Sequence, residues 1–190
     1  MPRPRKHDQN AILDAVERVV ARDGIVTLDA VAREAGVSKA TVIYDHSNKR
    51  ELIAALVART MKADNDFNEA AQAEFSGKPN AALRGRIEAA RRSPPVEGGN
   101  AAVLSLVVGL LQDAALRAGF RDNQRAIGQT ILAGAGHPRA ARLAWLALEG
   151  LKYQQHLEFQ HWSAEEREEI LCDIELLACT ATLTEGGSNA

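Results

Sequence analysis

Apolar residues recur at helical spacing along the whole chain, and no segment shows the apolar–polar alternation of a half-buried strand. Ile12, Val16, Val19 and Val20 share one face of a helix predicted from about Asp8 to Asp23, which Gly24 ends as a residue free to take positive φ. Thr27 is placed to cap a second helix, in which Leu28, Val31, Ala32 and Ala35 follow the i, i+3, i+4, i+7 rule. Gly36 closes that helix after about two turns, and Ser38 caps a third short one, roughly Lys39 to His46. Asn48 with Glu51 three residues on resembles a capping box that opens a fourth helix, with Leu52, Ile53, Leu56 and Val57 on its apolar face.

The later pattern predicts further helices. One runs from about Ala81 to Arg92 after the break Gly77-Lys78-Pro79-Asn80, and one lies over the apolar run from Ala101 to about Ala118, with Asn100 as its cap. Another spans roughly Arg121 to Ala133, and Pro138, suited to a first helical turn, opens a long helix to about Gln160. Ser163 and Glu166 form a capping box for the last, which fades near Leu183. The expected fold is all-α with about nine helices: an N-terminal three-helix domain over residues 1–50, a fourth helix over 48–75 as connector, and a helical body over 51–190.

Composition narrows the picture modestly. The net charge is −2, so the chain as a whole is not a polybasic binder, but residues 1–50 carry nine Lys/Arg against seven Asp/Glu, and the remainder fourteen against eighteen. A mildly basic head on an acidic body fits contact with a polyanion confined to the N-terminal region. MPRPRKHD lacks the apolar run of a signal peptide, and AAVLSLVVGLL is too short to span a bilayer, so no membrane role and a cytoplasmic location are expected. Cys172 and Cys179 lie about 10 Å apart along one helix, beyond the roughly 7 Å that a disulfide tolerates. His156 and His161 fall on different helical faces, no CxxC occurs, and Gly134-Ala135-Gly136-His137 lacks the Lys-Ser/Thr of a phosphate loop. Neither a metal, a cofactor nor catalysis is expected.

A helix-turn-helix needs a short helix, a tight turn tolerant of left-handed φ, and a second helix whose N-terminal face enters the major groove. Gly36 supplies the turn, Val37 tucks between the helices, and Ser38 caps the second, with Lys39 beside it. Ala40, Thr41 and Tyr44 then lie outward, while Val42 and His46 point back. The bland alternative is a tight turn in some other small helical domain, such as a helical adaptor or ligand-binding module.

Residues 11–57 resemble the N-terminal DNA-binding domain of the TetR family of bacterial repressors. The matches are ILDAVERV, the glycine before the second helix, T-x-x-x-V-A-x-E-A-G-V-S-K-x-T, and the K-x-x-L-I that starts the fourth helix. The resemblance implies a homodimeric, DNA-binding transcriptional repressor released from a palindromic operator by a small-molecule effector. It puts Ser38, Lys39, Ala40, Thr41 and Tyr44 against DNA, with Thr27 and Lys49 near phosphates. Where the family commonly has Tyr-(His/Asn)-Tyr-Phe, this chain reads Ile43-Tyr44-Asp45-His46. His46 is then expected as a core or boundary histidine, and Asp45 as a partner of Lys49 or Arg50. An activator, or an orphan regulator without an effector, is the remaining reading within the class.

In the body, the helix from Pro138 and the last helix are apolar over more than one face, and the surplus fits a two-fold partner. Leu143, Leu146, Gly150, Leu171, Ile174 and Ala178 are the interface candidates; a single-chain core is the alternative. The resemblance places an effector pocket among the helices from Ala81 to Leu157, with candidate linings Leu106, Leu110, Phe120, Ile127, Trp145, Glu149, Tyr153 and His156. Each of these also reads as ordinary core.

Overall fold

The computed structural model describes residues 9–93, 107, 109–111 and 113–180. The basic arm of Arg3, Arg5 and Lys6, the candidate Leu106, most of the apolar segment from Ala101 and the tail from Glu185 lie outside the described residues. The fold is all-helical, and no strand occurs among the described residues. The helices are α1 (Gln9–Asp23), α2 (Leu28–Glu34), α3 (Lys39–Asp45), α4 (Lys49–Ala73), α5 (Ala81–Arg92), α6 (Ala114–Ala133), α7 (Pro138–His156) and α8 (Ala164–Cys179). Residues 107 and 109–111 are helical as well.

Two boundaries depart from the sequence pattern. The helix expected from Arg121 begins at Ala114, because the Asp113 carboxylate accepts from the Ala115 N–H at 2.8 Å and so starts a new helix there. The helix from Pro138 ends at His156, not near Gln160, because Glu158 takes a left-handed φ of 56°. Its N–H and that of Phe159 donate to the Gln155 and Gln154 carbonyls, the paired bonds that close a helix end.

Within the described residues the chain divides into two compact units, one taking in the chain up to Lys62 and the segment before Gly119, the other the rest. The division falls inside α4, between Lys62 and Ala63. In the first unit, Ile12, Val16 and Val19 of α1 meet Val31 and Ala32 of α2, Val42 of α3, and Leu52 and Leu56 of α4 in one core. Burying side chains of this size stabilises by about 1.5–3 kcal/mol each. Arg59 of α4 reaches across to Asp14 at 2.6 Å and Glu17 at 2.8 Å on α1, and Arg22 of α1 reaches Glu34 of α2 at 2.7 Å.

The second unit has its own core, built by Leu83 and Ile87 of α5, Ile131 of α6, Ala144, Leu148 and Leu151 of α7, and Leu171 and Ile174 of α8. Ser163 and Glu166 form the expected capping box at the start of α8, which packs along α7. Asn80, left-handed and buried, donates its backbone N–H to Gly134 at 3.0 Å and its amide to Ala178 at 3.2 Å, tying three chain segments together. The buried Arg167 of α8 donates to the Ala90 carbonyl at the end of α5.

Candidate nucleic-acid interface

The turn between α2 and α3 is built by backbone bonds. Gly36 has φ +66°, its N–H donates to the Arg33 carbonyl at 3.3 Å, and the Val37 N–H donates to Ala32 at 3.0 Å. That pair of bonds is the Schellman closure of a helix end, and it needs a left-handed residue at Gly36. A Cβ there would meet nothing within 4 Å, so the requirement is conformational and not one of space. Val37 then packs half-buried against the core.

Ser38 opens α3: its Oγ accepts from the Thr41 N–H at 3.1 Å and lies 2.9 Å from the Thr41 Oγ1. The helix that follows is sharply two-sided. Val42 is fully buried under it, while Ser38, Lys39 and Ala40 are exposed and Tyr44 is 82% exposed. Thr41 is half-buried beside them. The Lys39 ammonium sits 2.9 Å from Asp29 of α2, with both side chains more than half exposed. An exposed pair of this kind contributes about 0–1 kcal/mol, so a phosphate can replace Asp29 at little cost.

Thr27 caps α2 through its hydroxyl, which accepts from the Ala30 N–H at 3.1 Å. Lys49 is exposed at the first position of α4. There the expected capping arrangement is modified: the Asn48 oxygen accepts from the Glu51 N–H at 3.0 Å, but the Glu51 carboxylate accepts from Ser47 N–H at 3.0 Å. Asp45 does not take the partner expected of it. Arg50 instead pairs with Asp113, which holds the Asp113 carboxyl below the usual carboxylate range. His46 is buried as expected and ends α3 by donating its N–H to Val42 at 2.8 Å, with Nε2 left without a partner.

In the second unit the candidate residues separate into groups. Leu171, Ile174 and Ala178, expected at a dimer interface, are buried in the core of their own chain. Leu143 and Leu146 are exposed at 41% and 56%, Gly150 is half-buried with nothing within 4 Å of a Cβ, and Leu176, not picked from the sequence, is 69% exposed. Of the pocket candidates, Ile127 lines a cavity of about 170 Å³ walled by α4, α5 and α6. Trp145 lies against Gly128 and packs on the core, Phe120 is half-buried, and Leu110 belongs to the first unit.

Glu149, Tyr153 and His156 gather with Lys152 in a polar cluster whose Lys152 ammonium lies 3.7 Å from both Glu149 and Asp64. Burial raises the Tyr153 hydroxyl pKa, with Glu149 adding to the effect, and burial lowers that of His156, with Lys152 adding to it. Asn65, Asn68, Arg86 and Asn123 line the same cavity as Ile127, and the sequence pattern does not point to them. The available signal was Arg86 itself, set between Leu83 and Ile87 on a helix whose apolar face must be buried. A second cavity, of about 680 Å³, lies within the first unit beside Lys49, Arg50, Ile53 and Asp113.

A helix-turn-helix unit with a bare second helix, followed by a separate helical body, defines a DNA-binding transcriptional regulator. Residues 12–56 match the family described as bacterial regulatory proteins, tetR family, and residues 80–178 match the tetracyclin repressor-like C-terminal domain. The chain belongs to the TetR family of transcriptional regulators. Solved structures share the fold. A transcriptional regulator from Rhodococcus sp. Rha1 is 22% identical with a TM-score of 0.66, covering 90% of this chain and 96% of its own. A putative transcriptional regulator from Saccharomonospora viridis in complex with choline is 20% identical at a TM-score of 0.68, covering 86% of this chain and 93% of its own. The multidrug binding protein EbrR complexed with malachite green is 21% identical at 0.66, covering 91% and 98%. No curated protein matches the sequence significantly.

Proposed function

We propose that this regulator is a homodimeric repressor that reads a palindromic operator with α3 and is released from it by a small-molecule effector bound in the second unit. The observation that carries the reading is the two-sidedness of α3: Val42 is wholly buried, whereas Ala40 and Tyr44 stand exposed on the opposite side and Lys39 is exposed at the helix's first position. A recognition helix needs that arrangement, since one face fixes it to its domain and the other must reach base edges. Lys39 and Lys49 supply cations for phosphates, Thr27 and Ser38 supply hydroxyls, and Thr41 and Tyr44 are the side chains placed for base or backbone contact. Tyr44 takes the place of a phosphate-binding tyrosine that would otherwise stand at Ile43.

In the dimer, two such helices would meet half-sites about one helical turn apart, roughly 34–36 Å. An effector that favours a different spacing would weaken DNA binding by a coupling free energy of about 1–3 kcal/mol. Structures of fold relatives holding malachite green and choline support a small-molecule role for the body. Selection from a random duplex library is the test: repeated binding and amplification should enrich a two-fold symmetric sequence. Enrichment of nothing, or of a sequence without symmetry, would overturn this reading.

A further inference from the structure

The cavity among α4, α5 and α6 holds a little-exposed guanidinium that has a carboxylate only at the limit of ion-pair distance. Arg86 of α5 is buried, its side chain only 9% exposed, yet the carboxylate nearest its guanidinium is Asp64 at 4.0 Å, with a side chain 47% exposed. A guanidinium with so little exposure gains most from a close, preferably bidentate, anionic partner. Asp64 is too distant and too wet to be that partner, and it is shared with Lys152 at 3.7 Å.

The rest of the wall is polar in a specific way. Asn68, 6% exposed, donates its amide to the Asp64 carbonyl at 2.6 Å. Asn65 donates to the Asn123 side-chain oxygen at 2.9 Å, which leaves the Asn65 oxygen buried without a donor. A buried acceptor left unmade costs about 1–3 kcal/mol. The cavity therefore offers a guanidinium with only a distant carboxylate and a buried Asn65 oxygen without a donor, while Ile127 lends it an apolar side. Its volume of about 170 Å³ holds about six water-sized groups at roughly 30 Å³ each. The exposed carboxylate of Glu69 on the same wall opposes a second negative charge.

We propose that this cavity binds a small organic monoanion carrying a hydroxyl, a short hydroxy acid being the simplest case, with Arg86 holding the carboxylate and the asparagines ordering the hydroxyl. The assignment rests on the reading of the second unit as the effector-binding body and gives that effector a chemical class. The larger cavity of the first unit makes no such demand, since its Arg50 and Asp113 already neutralise each other.

Titration calorimetry on the full chain tests the assignment with lactate, 2-hydroxybutyrate and 2-hydroxyvalerate, each beside its primary amide, and with inorganic phosphate. At least one acid should bind tenfold or more tightly than its amide, and phosphate, largely dianionic above neutral pH, should not compete. Arg86→Gln should abolish acid binding; because a buried change can unfold the chain, Asn123→Asp provides a milder variant on a half-buried position. It should weaken the acid at least tenfold and leave the amide unchanged. The site is refuted if no acid binds, if acid and amide bind alike, or if Asn123→Asp changes nothing. Binding of the selected duplex by the same preparation separates the two ideas: DNA binding without acid binding removes this site and leaves the regulator standing, whereas acid binding without DNA binding does the reverse.

Discussion

At the scale of single residues, burial decides what each polar group does. His156 illustrates the sign. Burial, with the nearby Lys152 and Arg167 cations, lowers its folded pKa, against the opposing pull of Asp64. The unfolded chain, with an imidazole near pKa 6.5, then binds the proton more readily than the folded one. Its contribution is therefore fully present above about pH 6.5 and is lost as pH falls from there through the folded pKa. Thermal unfolding followed between pH 7.5 and 5 should show a melting temperature that falls with pH, and His156→Gln should flatten that slope. An unchanged slope would mean that His156 does not carry the effect. The residue-level reading of α3 was legible for a simple reason: Val42 and Tyr44 are two positions apart, and helical geometry puts them on opposed faces whatever surrounds them. Arg86 was hidden for the converse reason, because whether a cation is exposed or stranded depends on helices distant in sequence.

At the scale of elements, local signals sufficed wherever one residue type could satisfy a backbone demand. Gly36 is required by its left-handed φ in the closure of α2. Replacing it with Ala should cost about 1–2 kcal/mol, the penalty of that conformation for a residue with a Cβ. Urea unfolding should show a lower midpoint with an unchanged m-value, and a shift within error would contradict the argument. The two boundaries that depart from the sequence pattern have a different cause. Ala114–Arg117 continues an apolar stretch, so the pattern ran through it, and the real start is set by one carboxylate, Asp113, turning back onto the Ala115 N–H. The end of α7 departs from the pattern because Glu158 adopts a left-handed conformation that composition does not announce.

At the scale of the molecule, the two last helices carry the proposal of a dimer. The sequence gives their surplus of apolar residues but cannot divide them between inside and outside. Leu171, Ile174 and Ala178 are core within the chain, and Leu143, Leu146 and Leu176 are the residues left exposed. If those three form a two-fold seam, light scattering should give twice the 20.5 kDa chain mass, and Leu146→Glu with Leu176→Glu should return it to 20.5 kDa without loss of helix. A wild-type protein already at 20.5 kDa would remove the dimer.

The central claim is that α3 reads DNA through its exposed face. An equilibrium titration of the selected duplex, run at several salt concentrations with wild type, Lys39→Ala and Tyr44→Ala, addresses it directly. Wild-type affinity should fall linearly on a logarithmic salt scale, and Lys39→Ala should reduce that slope by about 1. Tyr44→Ala should weaken binding by about tenfold, corresponding to roughly 1.4 kcal/mol, with the fold intact because that side chain is 82% exposed. Equal affinity for the selected and a scrambled duplex, unaffected by either substitution, would contradict the claim.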